Sequence, residues 1–304
     1  MLDVLIALVP LMVVAICVFG LNALRVMALC VAACLATEAA FAAARRKPFS
    51  LRDCSVIVTG VILAMSLPWN CPWYVAVIGA VAAVALGKMI FGGLGQNIFN
   101  PAMVGRAFVM ICFASALAGP AFVDEDNTDR SAVTTRATPM TALKQAGEGD
   151  QAPARPSLAA LFLGNTNGSL GETSALACII GGAYLLLRRT AAWQAPLGAI
   201  LTVVVIAGIA QFAGAHMTMM EHLLGGALLF GALFIATDPV TSPLTPLGRL
   251  IFGVGVGGFV MLLRLASSYP EGVMFAVLLM NALVPLINRW TIPTPVGGPV
   301  PERG

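Results

Sequence analysis

Charge is the scarcest thing in this chain. Lys, Arg, Asp and Glu together make up 10% of its 304 residues, where soluble domains carry about 25%. That scarcity excludes an ordinary water-soluble globule. Histidine is scarcer still: His216 and His222 are the only two, which weighs against a haem or a zinc centre. A disulfide framework is excluded by the odd count of seven cysteines, most of them inside apolar runs. Cys30 and Cys34 stand four apart on one helical face. An iron–sulfur cluster takes typically four converging thiolates, so the pair reads as small packing residues. The first apolar run, Leu2–Phe19, has no basic flank and no A-x-A cleavage site, so it is expected to be a retained span. A net charge of +3 is small and says little about partners; no nucleic acid is expected among them.

What is abundant is apolar sequence, at 59% of residues. The expected fold is an all-α polytopic membrane protein with about ten transmembrane segments. The first five are Asp3–Phe19, Asn22–Ala42, Ser55–Leu67, Trp73–Phe91 and Ala102–Ala118. The second five are Glu172–Leu187, Trp193–Phe212, His222–Thr237, Leu250–Leu263 and Gly272–Ile287. Ser55–Leu67 and Leu250–Leu263 fall short of the ~20 residues needed to cross the hydrocarbon. Short segments bounded by Pro and Gly are read as broken helices lining a protein-enclosed cavity.

The two halves share punctuation. Pro68 and Pro72 follow the third segment, and Pro239 and Pro243 follow the eighth. Asn100-Pro101 opens the fifth segment as Tyr269-Pro270-Glu271 opens the tenth. Two five-span repeats must be inverted relative to each other, a common plan for midplane sites. The expected organisation is 1–118 as the first repeat, 119–171 as an extracytoplasmic loop, 172–291 as the second repeat and 292–304 as a cytoplasmic tail. Basic residues set the orientation. With both termini in the cytoplasm, Arg45, Arg46, Lys47, Arg52, Arg188 and Arg189 all lie inside. The long polar loop, with its six acids, then lies outside.

Several motifs stand out from this background. Thr134-Thr135-Arg136-Ala137-Thr138-Pro139 sits in the polar loop and exposes hydroxyls. By itself it is a polar turn before a short helix. Phe91-Gly92-Gly93-Leu94-Gly95-Gln96-Asn97-Ile98-Phe99-Asn100-Pro101-Ala102 is a glycine-rich turn entering a helix N-terminus. Such a turn suits close backbone approach and polar edges, whether for packing or for a ligand. Arg106 follows within the helix, and an intramembrane charge is a functional candidate. Glu38, in the second segment, is another, and either pairs with a base or serves an ion path. Thr237-Asp238-Pro239-Val240-Thr241-Ser242-Pro243 places a carboxylate among hydroxyls, suited to a cation, to a flavin edge or simply to a turn. In Gly168-Ser169-Leu170-Gly171-Glu172-Thr173-Ser174, Ser169 or Thr173 is expected to cap the sixth helix, with Glu172 complementing its dipole. The run Gly253-Val254-Gly255-Val256-Gly257-Gly258 lacks the preceding strand of a dinucleotide fingerprint and reads as close helix packing.

Taken in order along nearly the whole chain, these motifs resemble the RnfD-type family, which unites the D subunits of Rnf ion-translocating electron transport complexes with the B subunits of the sodium-translocating NADH:quinone oxidoreductases. Length favours the Rnf side. The resemblance implies FMN bound covalently as a phosphoester to Thr138, the last residue of a Ser/Thr-x-Ala-Thr pattern. The family's attachment pattern usually has an acid six positions earlier, where this chain has Ala132. The resemblance also implies cofactor contacts at Asn97, Asn100, Arg106, Thr135, Glu172 and Thr173. From their chemistry, Glu38, Asp238, Thr237 and Thr241 are the candidates for ion or second-flavin (riboflavin) contacts. The implied function is a flavoprotein subunit of a ferredoxin:NAD oxidoreductase that moves cations across the bacterial inner membrane. Implied partners are iron–sulfur membrane subunits, a second FMN-bearing subunit, soluble NADH- and ferredoxin-side subunits, a periplasmic flavin transferase and the lipid bilayer. The alternative is a urea-channel-like passage for a small polar solute, which needs no flavin.

Overall fold

A computed structural model describes residues 1–46, 53–117, 121–122, 134–135, 140, 157–164, 168–267 and 272–293. The described residues are almost wholly helical. Five helices are long and apolar enough to cross a membrane: α1 (Leu2–Phe19), α2 (Leu21–Ala44), α9 (Gln194–Phe212), α12 (Pro246–Ala266) and α13 (Val273–Thr291). Shorter apolar helices are α3 (Ser55–Ser66), α4 (Trp73–Val84), α5 (Pro101–Cys112) and α8 (Ala175–Leu187). Small helices α6 (Ala114–Leu117), α7 (Leu158–Leu163), α10 (Met219–Leu224) and α11 (Leu228–Phe230) complete the set. In lipid every backbone polar group must find its partner within the protein, which is why apolar sequence takes this form. Thr134–Thr135 pairs antiparallel with Ala121–Phe122.

Helix ends are set locally. Asn100 caps α5 by accepting the Met103 N–H at 3.3 Å, with Pro101 in the first turn, where its missing N–H costs nothing. Thr245 and Pro246 open α12 in the same way, Thr245 accepting from Gly248 at 3.0 Å. The cap of α8 is Ser174, which accepts the Ala177 N–H at 3.2 Å. The expectation of Ser169 or Thr173 as the cap is therefore corrected. The Thr173 hydroxyl instead donates back to Leu170 and Ser169 carbonyls.

Two segment lengths also depart from expectation. The ninth segment is not short: Thr245 starts the helix early, and α12 runs for 21 residues. The eighth is broken, as α10, a Gly225–Gly226 turn, α11 and a π turn over Gly231–Ile235. A second π turn, Ala85–Met89, ends α4. The glycine run in α12 does serve packing, because a Cβ on Gly253 would lie 2.2 Å from the Ala195 carbonyl of α9. One on Gly257 would lie 2.5 Å from the Ala199 carbonyl.

Helices α2 to α5 pack among themselves, as do α9, α12 and α13. The halves meet where α1 crosses α8 and where α5 crosses α13. One face gathers Met1, the α2 end with Arg45 and Arg46, and the α8 end with Arg188 and Arg189, the latter tied to α1 by Asp3–Arg188 at 3.4 Å.

Candidate functional site

The glycine-rich turn and the Asp-Pro turn converge. Asn100 donates from its side-chain amide to Asp238 Oδ2 at 3.4 Å, although 138 positions separate them. Asp238 also accepts from the Thr241 hydroxyl and the Val240 N–H, each at 3.1 Å. Asn281 closes the group from α13. With its amide oriented to match its neighbours, it donates to the Thr241 carbonyl at 3.2 Å and accepts from the Asn100 N–H at 3.0 Å. An amide in the middle of an apolar helix was the available signal for Asn281, and the sequence reading passed over it. Thr237 is less free for a ligand, since its hydroxyl bonds the Leu233 carbonyl at 2.8 Å.

These turns border a cavity of about 160 Å³ that opens toward the basic face. Asn97, Asn100, Thr237 and Asp238 supply its polar edge, while Ile62, Leu94 and Phe234 are among its apolar walls. A flat apolar ring with a hydrogen-bonding edge fits this chemistry. Asn97 donates to the Phe99 carbonyl at 3.3 Å, and its own amide oxygen accepts no bond among the described residues.

Asp238 lies in the turn between helices, outside the spans. Burial pushes its carboxyl above the usual carboxylate range, and the bonds from Val240, Thr241 and Asn100 oppose that in part. A raised carboxyl pKa means that the folded chain holds the proton more readily than the unfolded one. That contribution is present at low pH and is lost as the pH rises from 3.8 through the raised value. Asp238→Asn keeps the side-chain shape but has no proton to lose. Thermal unfolding across a pH series should therefore show the wild type losing stability relative to the variant as pH rises. Parallel curves would contradict the assignment.

A charged cluster sits deeper. Lys88, on the first π turn, donates to both Glu38 oxygens at 3.1 and 3.0 Å and to the Ser55 hydroxyl at 2.8 Å. Lys88 is 2% exposed and Glu38 8%. Lys88 and Ser55 both line the cavity. The sequence placed Glu38 as an intramembrane acid but read Lys88 only as a charge at a helix end. The π turn and the 50-residue separation hid the pairing.

A second, smaller cavity of about 30 Å³ lies toward the opposite face, lined by Ser66, Arg106, Ser169, Glu172 and Phe230 among others. Arg106 and Glu172 thus share one space, away from Asn97 and Asn100. Phe230 borders this cavity and Phe234 the first, their rings stacked 5.6 Å apart. The aromatic pair therefore joins a wall of one cavity to a wall of the other. Gly171 N–H donates to the Met65 carbonyl at 2.6 Å, tying the Glu172 turn to the end of α3. Thr138 lies outside the described residues. Thr135 is described only in its backbone, paired with Ala121. Among the described residues no group of His, Cys, Asp and Glu is arranged to hold a metal ion.

The comparisons extend over the whole site. The model of the NQR2, RnfD, RnfE family matches residues 1–297. The chain is 40% identical over 291 residues to the D subunit of the Na(+)-translocating ferredoxin:NAD(+) oxidoreductase complex of Acetobacterium woodii, covering 95% of this chain and 87% of that protein. It is also 40% identical to the D subunit of the proton-translocating ferredoxin:NAD(+) oxidoreductase complex of Clostridium ljungdahlii, covering 97% and 90%. With the D subunit of the ion-translocating oxidoreductase complex of Stutzerimonas stutzeri the identity is 39%, covering 98% and 91%.

Proposed function

The chain belongs to the NQR2, RnfD, RnfE family, and on that footing we propose that it is the membrane flavoprotein subunit of an ion-translocating ferredoxin:NAD oxidoreductase complex. The observation that carries this reading is similarity to subunits of that name along almost the full chain, joined to the Thr135-Arg136-Ala137-Thr138 pattern in the polar loop. Thr138 carries FMN as a phosphoester in this reading, and the flavin supplies the electron chemistry. The chain itself orients, shields and sets the local charge. Asn97 and its neighbours offer a second flavin, riboflavin, a hydrogen-bonding edge against apolar walls. The iron–sulfur subunits, the second FMN-bearing subunit, the soluble NADH- and ferredoxin-side subunits and a periplasmic flavin transferase are the partners this role calls for.

Cation movement has support in two cavities, one bordered by Phe234 and the other by Phe230, whose rings stack 5.6 Å apart. The relatives of equal identity are named for sodium and for protons, so the ion is set by details finer than overall similarity. Ten spans in two inverted repeats are supported by the packing pattern. Segment four (α4) packs on both two and five (α2, α5), as segment nine (α12) packs on both seven and ten (α9, α13). Equivalent segments also meet across the halves, first with sixth (α1, α8) and fifth with tenth (α5, α13).

The orientation follows from the basic face, with both termini in the cytoplasm. Single cysteines at Arg189 and Leu158, in a cysteine-free background, check it. An impermeant maleimide applied outside the inner membrane should label position 158 and spare 189, and the reverse pattern would invert the topology. A passage for a small solute would also use two cavities back to back. A flavin-fluorescent band on a denaturing gel separates the two readings, since a solute passage has none.

A further inference from the structure

Met140 is the one residue between 136 and 156 with a described position, and it is 1% exposed. It lies apart from the main core, in a small cluster of its own with Met217. What it rests on is the Gly225–Gly226 turn of the broken eighth segment. A Cβ on Gly225 would lie 3.0 Å from the Met140 sulfur, and one on Gly226 would lie 3.0 Å from its Cγ. Gly226 also has φ +72°, a conformation that favours glycine. Two adjacent positions without side chains thus make a notch that the thioether fills.

The notch is held from several sides. Arg264, 3% exposed on α12, donates to the Gly225 carbonyl at 2.9 Å and to the His222 carbonyl. Its guanidinium would lie 3.1 Å from a Cβ on Gly226, so it braces the turn beside Met140. Thr218 and Glu221 fix the start of α10 with a reciprocal capping box, Thr218 N–H to Glu221 at 2.6 Å and Glu221 N–H to Thr218 at 3.3 Å. A polar loop that only had to be soluble would not need a buried anchor in a prebuilt notch.

In the chain Met140 follows Thr138 by two residues. We infer that Met140 is a positioning residue. By seating in the Gly225–Gly226 notch it fixes the flavin-bearing segment against the helical domain, so that the attached flavin sits at a defined place for electron transfer. The inference rests on the Thr138 reading above. Attachment at the Thr138 oxygen does not need the seat, whereas a fixed flavin does.

The test uses the intact complex co-expressed with its flavin transferase, comparing wild type, Met140→Ala and Met140→Leu. Three quantities are read: the mass of the chain, the fluorescence anisotropy of the covalent flavin, and its rate of reduction by the partner subunits. Met140→Ala should keep the covalent adduct by mass, lower the anisotropy and slow flavin reduction at least tenfold. Met140→Leu, which refills the notch with an apolar side chain, should restore both. Adduct present with wild-type anisotropy and rate in Met140→Ala overturns the positioning role alone. A wild-type chain without adduct overturns the attachment reading and this inference with it. Loss of adduct in Met140→Ala but not in Met140→Leu would assign Met140 to recognition by the transferase and also overturn the role stated here.

Discussion

Lys88→Met should lower the unfolding free energy by about 3–5 kcal/mol, the usual consequence of leaving a buried charge without its partner. The partner left behind is Glu38, whose two oxygens both accept from the Lys88 ammonium. At 8% exposure, water cannot replace the lost donor. The Ser55 hydroxyl loses its donor as well, adding a smaller term of about 1 kcal/mol. Glu38→Gln with Lys88→Met should recover most of the loss, because neither side chain then carries a buried charge. Denaturant titration of the purified chain in mixed micelles measures both variants. A single variant as stable as the wild type would mean that the pair is solvated and not buried. The pair binds α2 to the π turn that ends α4, and Lys88 lines the larger cavity, so its loss should also change that cavity's walls.

Thr138→Ala should abolish covalent flavin while the chain still inserts and the complex still assembles. In the proposed reading the phosphoester forms at the hydroxyl oxygen, so alanine removes the atom that would be modified. Thr138→Ser keeps a hydroxyl and should retain part of the product. Thr134→Ala and Thr135→Ala should keep most of it, because neither supplies the bond. In-gel flavin fluorescence after co-expression with the transferase reads all four. Fluorescence that persists in Thr138→Ala would move the attachment elsewhere in the chain. With no covalent flavin, electron flow from ferredoxin to NAD through the complex should fall to background.

Much of the fold was legible because bilayers simplify the problem. Apolar runs have to be helices, and punctuation by Pro, Gly and Asn marks where they stop. Asn100-Pro101 opens a helix in the structure as it does in the sequence reading, whereas Thr245-Pro246 opens one that the sequence reading began later. Lengths were read less well where a charge sat near an end. The ninth segment was read as starting at Leu250, just past Arg249, whose side chain folds back to the Pro243 carbonyl at 3.0 Å. The α12 helix begins three residues before it. The eighth segment was expected as one helix, and nothing in its apolar run announces the π turn over Gly231–Ile235.

The candidate site was legible in its turns and obscure in its partners. Asn97, Asn100 and Asp238 stand out as polar residues in short motifs, and the structure brings them to one cavity. Arg106 and Glu172 were grouped with them but belong to the second cavity. Lys88 and Asn281 were missed because their importance is set by distant partners, Glu38 and Ser55 for the first and the Asn100 and Thr241 backbone for the second. No local pattern encodes such a meeting. Met140 was missed for a related reason: an isolated methionine in a polar loop has meaning only beside the notch that receives it.

The most direct test of the account is the intact mass of the wild-type chain isolated from its own complex, with peptide mapping of the 119–171 segment. The account predicts a mass increase of one FMN joined with loss of water, located on Thr138. An unmodified chain, or the added mass on any other residue, would contradict it.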